Sequence, residues 1–226
     1  RAPSGPQHNL PQQLTSFIGR ARESAQIEQL LTANRLVTLT GAGGCGKTRL
    51  ALHVAGALLE RHAEGLRVVE LAPLSDATLI VPALARALAI EERAGTDLED
   101  TVIEWLESRQ QLLLLDNAEH VLDASARLVE KLLRRCPRLV VLVTSRERLG
   151  IAGELTYGVP SLSVPEARHD TTREEALAFE ATRLFIERAR LQRPDFDIAD
   201  QDAAALASIV QAARVSYGKG TRKLQE

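Results

Sequence analysis

The segment Gly41-Ala-Gly-Gly-Cys-Gly-Lys47-Thr48 fits the spacing G-x-x-x-x-G-K-[ST] in full. Gly41, Gly43, Gly44 and Gly46, with Cys45 among them, let the backbone wrap so that successive N–H groups point inward, a concavity suited to phosphate oxygens. A helix starting at the end of the loop adds its positive N-terminal end. Lys47 can then reach the β and γ phosphates and the Thr48 hydroxyl can ligate magnesium, and Arg49, the next residue along, is counted with the nucleotide-binding residues. The chemistry this spacing offers is the holding of ATP or ADP with Mg2+. A second element fits it: the run Leu112 to Asp116 is apolar and ends in an acid, the placement of a magnesium-associated carboxylate. Strand-end acids also cap helices, so a capping role for Asp116 stays open.

Positioning these residues requires a strand before the loop and a helix after it. Arg35-Leu-Val-Thr-Leu-Thr40 reads as a buried strand that empties into Gly41, and a helix is predicted from about Thr48 to Arg61. A short helix over Arg22 to Leu31 precedes them. A strand at Leu66 to Leu71 and helical patches at Thr78 to Ile90 and Leu98 to Ser108 follow. Gln111 to Asp116 is a continuous apolar run of the kind found in parallel strands covered on both faces. A helix from Val121 to Arg135, a strand from Leu139 to Thr144 and a short strand at Glu154 to Val159 continue the alternation, which implies a parallel sheet with helices on both sides. Beyond the connector holding Pro160 and Pro165 the pattern is helical only, with helices expected over Glu174 to Leu191 and Asp202 to Ala213. This divides the chain into a linker (1–13), an α/β domain (14–165), a partial helical subdomain (166–213) and a polar tail (214–226) expected to be disordered.

Composition bounds the function. The 226 residues are 45% hydrophobic and 26% charged, an ordinary globular composition, and the formal net charge is -2. That charge supplies no long-range field for a polyanion, so direct nucleic-acid binding by this segment is not expected. No apolar run approaches the roughly 20 residues of a membrane span. Cys45 and Cys136 sit in unlike contexts, which argues against a structural disulfide and fits a reducing, cytoplasmic setting. Methionine is absent even at position 1, so the chain reads as part of a longer protein. His53, His62 and His169 lack metal-ligand spacing, Trp105 reads as a packing residue, and the charges of Glu180, Arg183, Glu187, Arg188 and Arg190 read as a solvated helix face.

Together, Phe17-Ile-Gly-Arg20, the glycine loop, Leu112-Leu-Leu-Leu-Asp-Asn-Ala-Glu-His120 and Val143-Thr-Ser-Arg146 resemble the STAND class of P-loop ATPases, relatives of NB-ARC domains, in particular bacterial versions within large transcriptional regulators. The resemblance runs from about Leu14 to Leu191. It implies a three-layer P-loop fold with strand order 5-1-4-3-2 and an upstream effector domain joined through the linker. It also implies that Ile18 and Arg20 contact adenine, with core packing the alternative for Ile18. Arg146 matches the sensor of the γ-phosphate, for which a guanidinium fork is suited; pairing with Glu147 or Glu119 is its alternative.

Many ATPases of this class carry a second acid directly after the Asp116 position, whereas this chain has Asn117, which cannot take a proton at neutral pH. Glu119 is the best remaining base, with His120 behind it, and slow hydrolysis is expected. The resemblance further implies a resting ADP state and an active ATP state. The family's following Gly-Leu-Pro-Leu motif and winged helix are missing from this sequence, so oligomerisation is expected only in the complete protein. Two rival readings remain: a motor or transfer enzyme on the same fold, and a non-catalytic nucleotide-binding or scaffolding remnant.

Overall fold

The computed structural model describes residues 7–62, 64–92, 95–166, 168 and 170–219. His169, the first six residues of the expected linker and the last seven of the expected tail lie outside the described residues. The chain divides into two compact units. The first comprises the described residues within Arg1–Thr15, Ala21–Gly41 and Gly46–Val159, and the second those within Ser16–Arg20, Ala42–Cys45 and Pro160–Glu226.

Among its described residues the first unit has five strands: β1 (Leu36–Thr40), β2 (Leu66–Glu70), β3 (Leu112–Asp116), β4 (Val140–Thr144) and β5 (Leu155–Gly158). They form one sheet in the order β2-β3-β4-β1-β5, and every pairing is parallel, which is the expected 5-1-4-3-2 read from the other edge. Every residue of β3 is buried, as its unbroken apolar run requires. Register sets Leu39 opposite Thr144 and Glu70 opposite Asp116, so the C-terminal ends of β1, β3 and β4 lie side by side.

Among the described residues, five helices accompany the sheet: α1 (Ala21–Ala33), α2 (Lys47–Ala57), α3 (Ile80–Ala87), α4 (Leu98–Glu107) and α5 (Leu122–Arg135). In α5 the buried residues Ser125, Leu128, Val129 and Leu132 recur at helical spacing, and Arg134 and Arg135 occupy the last turn where the helix dipole favours cations. Arg35 adds to that end, donating to the carbonyls of Leu133 at 2.7 Å and Cys136 at 2.8 Å. Asp97 caps α4 by accepting from the Glu99 amide. The helix expected from Thr48 to Arg61 is α2 followed by a 3-10 turn at Leu59–Arg61, and that expected from Thr78 is a 3-10 turn at Ala77–Leu79 leading into α3. The expected linker is held where it is described. Gln7 accepts from the Leu66 amide, and the Asn9 side chain pairs with both backbone groups of Val68, donating to its carbonyl at 2.8 Å and accepting from its amide at 2.7 Å. A carboxamide has the donor and acceptor of a peptide, so Asn9 serves the exposed edge of β2 as a further strand would.

The second unit contains α6 (Arg173–Leu177), α7 (Glu180–Gln192) and α8 (Ala203–Lys219). The single helix expected over Glu174 to Leu191 is thus two. Phe179 is extended (φ -90°, ψ 137°), and Ser163 receives the first amides of α7, its hydroxyl from Glu180 at 3.1 Å and its carbonyl from Ala181 at 3.1 Å. Thr172 and Glu175 form a capping box at the start of α6. The last helix runs six residues past Ala213, so the backbone of 214–219 is helical rather than irregular. Ile186, Ile198, Leu206 and Val210 form the core of this unit.

Two outcomes follow from these contacts. Gly65 has φ +85°, and a Cβ there would lie 1.8 Å from the Gln7 carbonyl oxygen. Gly65→Ala is therefore expected to lose about 1–3 kcal/mol in urea unfolding, and an unchanged midpoint would contradict the docked Gln7. Burial, with Glu107 nearby, pushes the Cys136 thiol up to about 11. Cys136 should resist iodoacetamide at pH 8 in the folded protein and react once unfolded, which peptide mass mapping reads directly; equal labelling in both states would contradict its burial.

Candidate functional site

The site begins at the end of β1. Thr40 is followed by the glycine loop, and α2 starts at Lys47. Gly46 precedes it at φ +89°, a left-handed conformation that glycine adopts without steric cost and that no side-chain cap accompanies. Lys47 is 8% exposed and its ammonium donates to the Gly41 carbonyl at 2.8 Å, closing the two ends of the loop. Thr48 lies on the first turn of α2 and donates from its hydroxyl to Asp116 Oδ1 at 2.8 Å.

Asp116 is the last residue of β3 and is 8% exposed. Its Oδ1 takes a second hydroxyl, that of Thr144 at the end of β4, at 2.5 Å. Thr144 in turn accepts from the Asn117 amide at 2.9 Å. A buried carboxylate requires hydrogen-bond donors, and here they come from the helix after β1 and from the neighbouring strand. The contact from Thr48 ties Asp116 to the loop, and the helix that follows it, α5, has Val121 at its N-terminal flank with no side-chain cap bond, so Asp116 does not serve as that cap.

The bond between Thr48 and Asp116 also tests the fit of a metal. A hydroxyl and a carboxylate brought to one point are hard oxygen donors of the kind Mg2+ takes in small number, with phosphate and water oxygens completing its octahedron. Among the described residues no group of three or more His, Cys, Asp and Glu could hold a metal. The Thr48 hydroxyl and the Asp116 carboxylate fit magnesium arriving with phosphates.

Glu119 and Arg146 come together. Arg146 lies two residues beyond β4, and its Nε is 3.2 Å from Glu119 Oε1. The pairing with Glu119 that its sequence left open is present. Asn117 has φ 65° and turns its side chain to the same carboxylate; with the amide orientation that the hydrogen-bond network dictates, it donates to Oε1 at 3.0 Å and Oε2 at 3.2 Å. His120, next along, is exposed.

The remaining candidates divide between the two units. Arg49, in the first, donates to the Thr15 carbonyl at 2.6 Å. Gly43, Gly44 and Cys45 belong to the second unit with Ile18 and Arg20. Ile18 is half-buried. Arg20 is 4% exposed with φ 58°, and its guanidinium donates to the carbonyls of Cys45 at 2.7 Å and Pro160 at 2.9 Å while its amide donates to Glu180. Arg20 thus braces the middle of the glycine loop. Thr144 is a site residue that sequence reasoning passed over; its signal was a polar residue ending an apolar strand, as at Asp116.

The sequence of residues 29–152, more than half of the chain, matches the AAA domain family model, and the chain belongs to that family of P-loop ATPase domains. It is 43% identical over 180 residues to a candidate HTH-type transcriptional regulator of Mycobacterium tuberculosis, covering 80% of this chain and 19% of that protein. It is 38% identical over 203 residues to an uncharacterised protein of the same organism, covering 90% of this chain and 48% of the relative. The chain thus spans about half or less of the length of these relatives. Among solved structures it is similar in fold to the Aeropyrum pernix ORC2 protein, described in ADPNP and ADP complexes, with a TM-score of 0.54 and 15% identity over 95% of this chain and 66% of that one. Among the described residues no helix is long and apolar enough to cross a membrane.

The bonds around Asp116 make a measurable demand. Thr144→Val removes one donor from a buried carboxylate and the acceptor of the Asn117 amide, and should lower stability by about 2–4 kcal/mol in chemical denaturation. Thr144→Ser should recover most of that loss. Wild-type stability in the valine variant would show that Asp116 does not depend on Thr144.

Proposed function

We propose that this chain is an ATP- and ADP-binding switch module with slow magnesium-dependent hydrolysis, working within a longer regulator and linked to an effector domain. The observation that carries this reading is the Thr48 to Asp116 hydrogen bond at the C-terminal edge of a parallel sheet, directly behind a complete glycine loop. Ligands of open α/β sheets bind at that edge. Lys47 and the loop amides would hold the phosphates, Thr48 and Asp116 would hold magnesium, and Arg146 would meet the terminal phosphate. Magnesium, when bound, neutralises charge on the phosphate oxygens.

Arg20 would take part in the nucleotide site through the loop, since it holds the Cys45 carbonyl; Ile18 would pack beside the base. Glu119 would orient the attacking water and accept its proton. With its carboxylate already engaged by Arg146 and Asn117, it is a restrained base, which supports slow turnover. The regulatory role is supported by the relative described as an HTH-type transcriptional regulator, and by the four motifs that resemble the STAND class. ATP and ADP differ by the phosphate that Arg146 would meet, and a ligand shifts a conformational equilibrium only through such a difference in affinity.

Thermal unfolding with ADP, ATP and a non-hydrolysable analogue, with and without magnesium, tests the reading beside Lys47→Ala. Nucleotide should raise Tm as RT ln(1 + [L]/Kd) requires, and Lys47→Ala should abolish most of the rise. Phosphate release should run far below about 10 per second, the median for enzymes. Sustained release at or above that rate, lost in Lys47→Ala, would identify a turnover enzyme; no stabilisation by any nucleotide would identify an inert remnant.

A further inference from the structure

We infer that Glu119 sets how strongly the site distinguishes a nucleoside triphosphate from a diphosphate, because the terminal phosphate must compete with it for Arg146. This deepens the reading above and rests on it. The two partners are unequal. The Glu119 side chain is 12% exposed and that of Arg146 is 45% exposed. The carboxylate is also held by the Asn117 amide through both oxygens, at 3.0 and 3.2 Å, from a residue whose own amide is fixed to Thr144. Glu119 is the anchored member and Arg146 the one with room to turn.

Topology puts this pair at the edge where phosphates would lie. β4 runs between β3, which ends in Asp116, and β1, which leads into the loop, and Arg146 follows β4 by two residues. A terminal phosphate brought to Arg146 would meet a guanidinium already neutralised by a carboxylate 3.2 Å from Nε. Keeping both contacts would set two anions side by side, so the arginine exchanges one partner for the other. A diphosphate does not reach for Arg146 and leaves the pair intact. The triphosphate therefore binds against the strength of this ion pair, and the same exchange releases Glu119 from its cation only when a terminal phosphate is present. Asn117 is a positioning residue in this account, since it keeps the released carboxylate in place.

Titration calorimetry with ADP and a non-hydrolysable ATP analogue, both with magnesium, tests this on the folded wild type, Glu119→Gln, Arg146→Gln and the double variant. Glu119→Gln keeps the shape of the side chain and removes the competing charge. It should raise the preference for the triphosphate about two- to fivefold, the worth of a partly exposed ion pair, with the ADP affinity unchanged. In the Arg146→Gln background the same change should leave the preference where it was. A preference unmoved by Glu119→Gln overturns the inference, and so does an equal rise in the Arg146→Gln background, which would reflect only the loss of negative charge. If wild type binds ADP through Lys47 while the preference does not move, this inference alone fails. If folded wild type binds neither nucleotide, the proposed function fails and takes the inference with it.

Discussion

A single buried carboxylate, Asp116, imposes the main constraint on this molecule. A carboxylate 8% exposed at the end of an apolar strand is tolerable only when donors converge on it. One comes from the first turn of α2 and the other from the end of β4. Asp116 can be satisfied only if β3 sits beside β4 and β4 beside β1, with their ends in line. The order of the central strands and the entry of α2 thus converge on one oxygen atom, and the turn at Asn117 is tied to it through the Thr144 hydroxyl. What the carboxylate demands for stability is also what a magnesium site needs, a hydroxyl and an acid at one point.

The same edge carries a second charged group of different character. Around Asp116 the partners are neutral hydroxyls on rigid elements, so the geometry is preset. Around Glu119 the partners are an amide on a left-handed residue and an arginine nearly half exposed, so one contact is firm and the other is the one we propose to be exchangeable. The proposed switch would use both kinds: a fixed seat for the part common to both nucleotides and a contact that changes with the part that differs. Arg20 adds a brace to the loop from within the second unit, where its buried guanidinium holds the Cys45 and Pro160 carbonyls.

Much of this was legible in the residues because it is written in local patterns. The glycine loop needs eight consecutive residues, the buried strands are unbroken apolar runs, and the strand order followed from resemblance across four motifs. The roles of Thr144 and Asn117 were not legible, because each depends on a neighbour about 28 positions away in one case and on a left-handed backbone in the other. Register between β3 and β4 decides which polar residue meets Asp116, and nothing local encodes it. The break at Phe179 escaped for the same reason: apolar spacing continues across it, while the groups that receive the new helix start belong to Ser163. Asn9 reads as linker until its amide is seen to stand in for a peptide on the edge of β2.

The central claim is that Thr48 and Asp116 form a magnesium seat for a bound nucleotide. It is tested most directly by titrating a non-hydrolysable ATP analogue into wild type and Thr48→Ala, each with magnesium and with magnesium chelated. Magnesium should tighten binding to wild type and this gain should disappear in Thr48→Ala, while metal-free binding is retained through Lys47 and the loop. An equal magnesium gain in both proteins would contradict it.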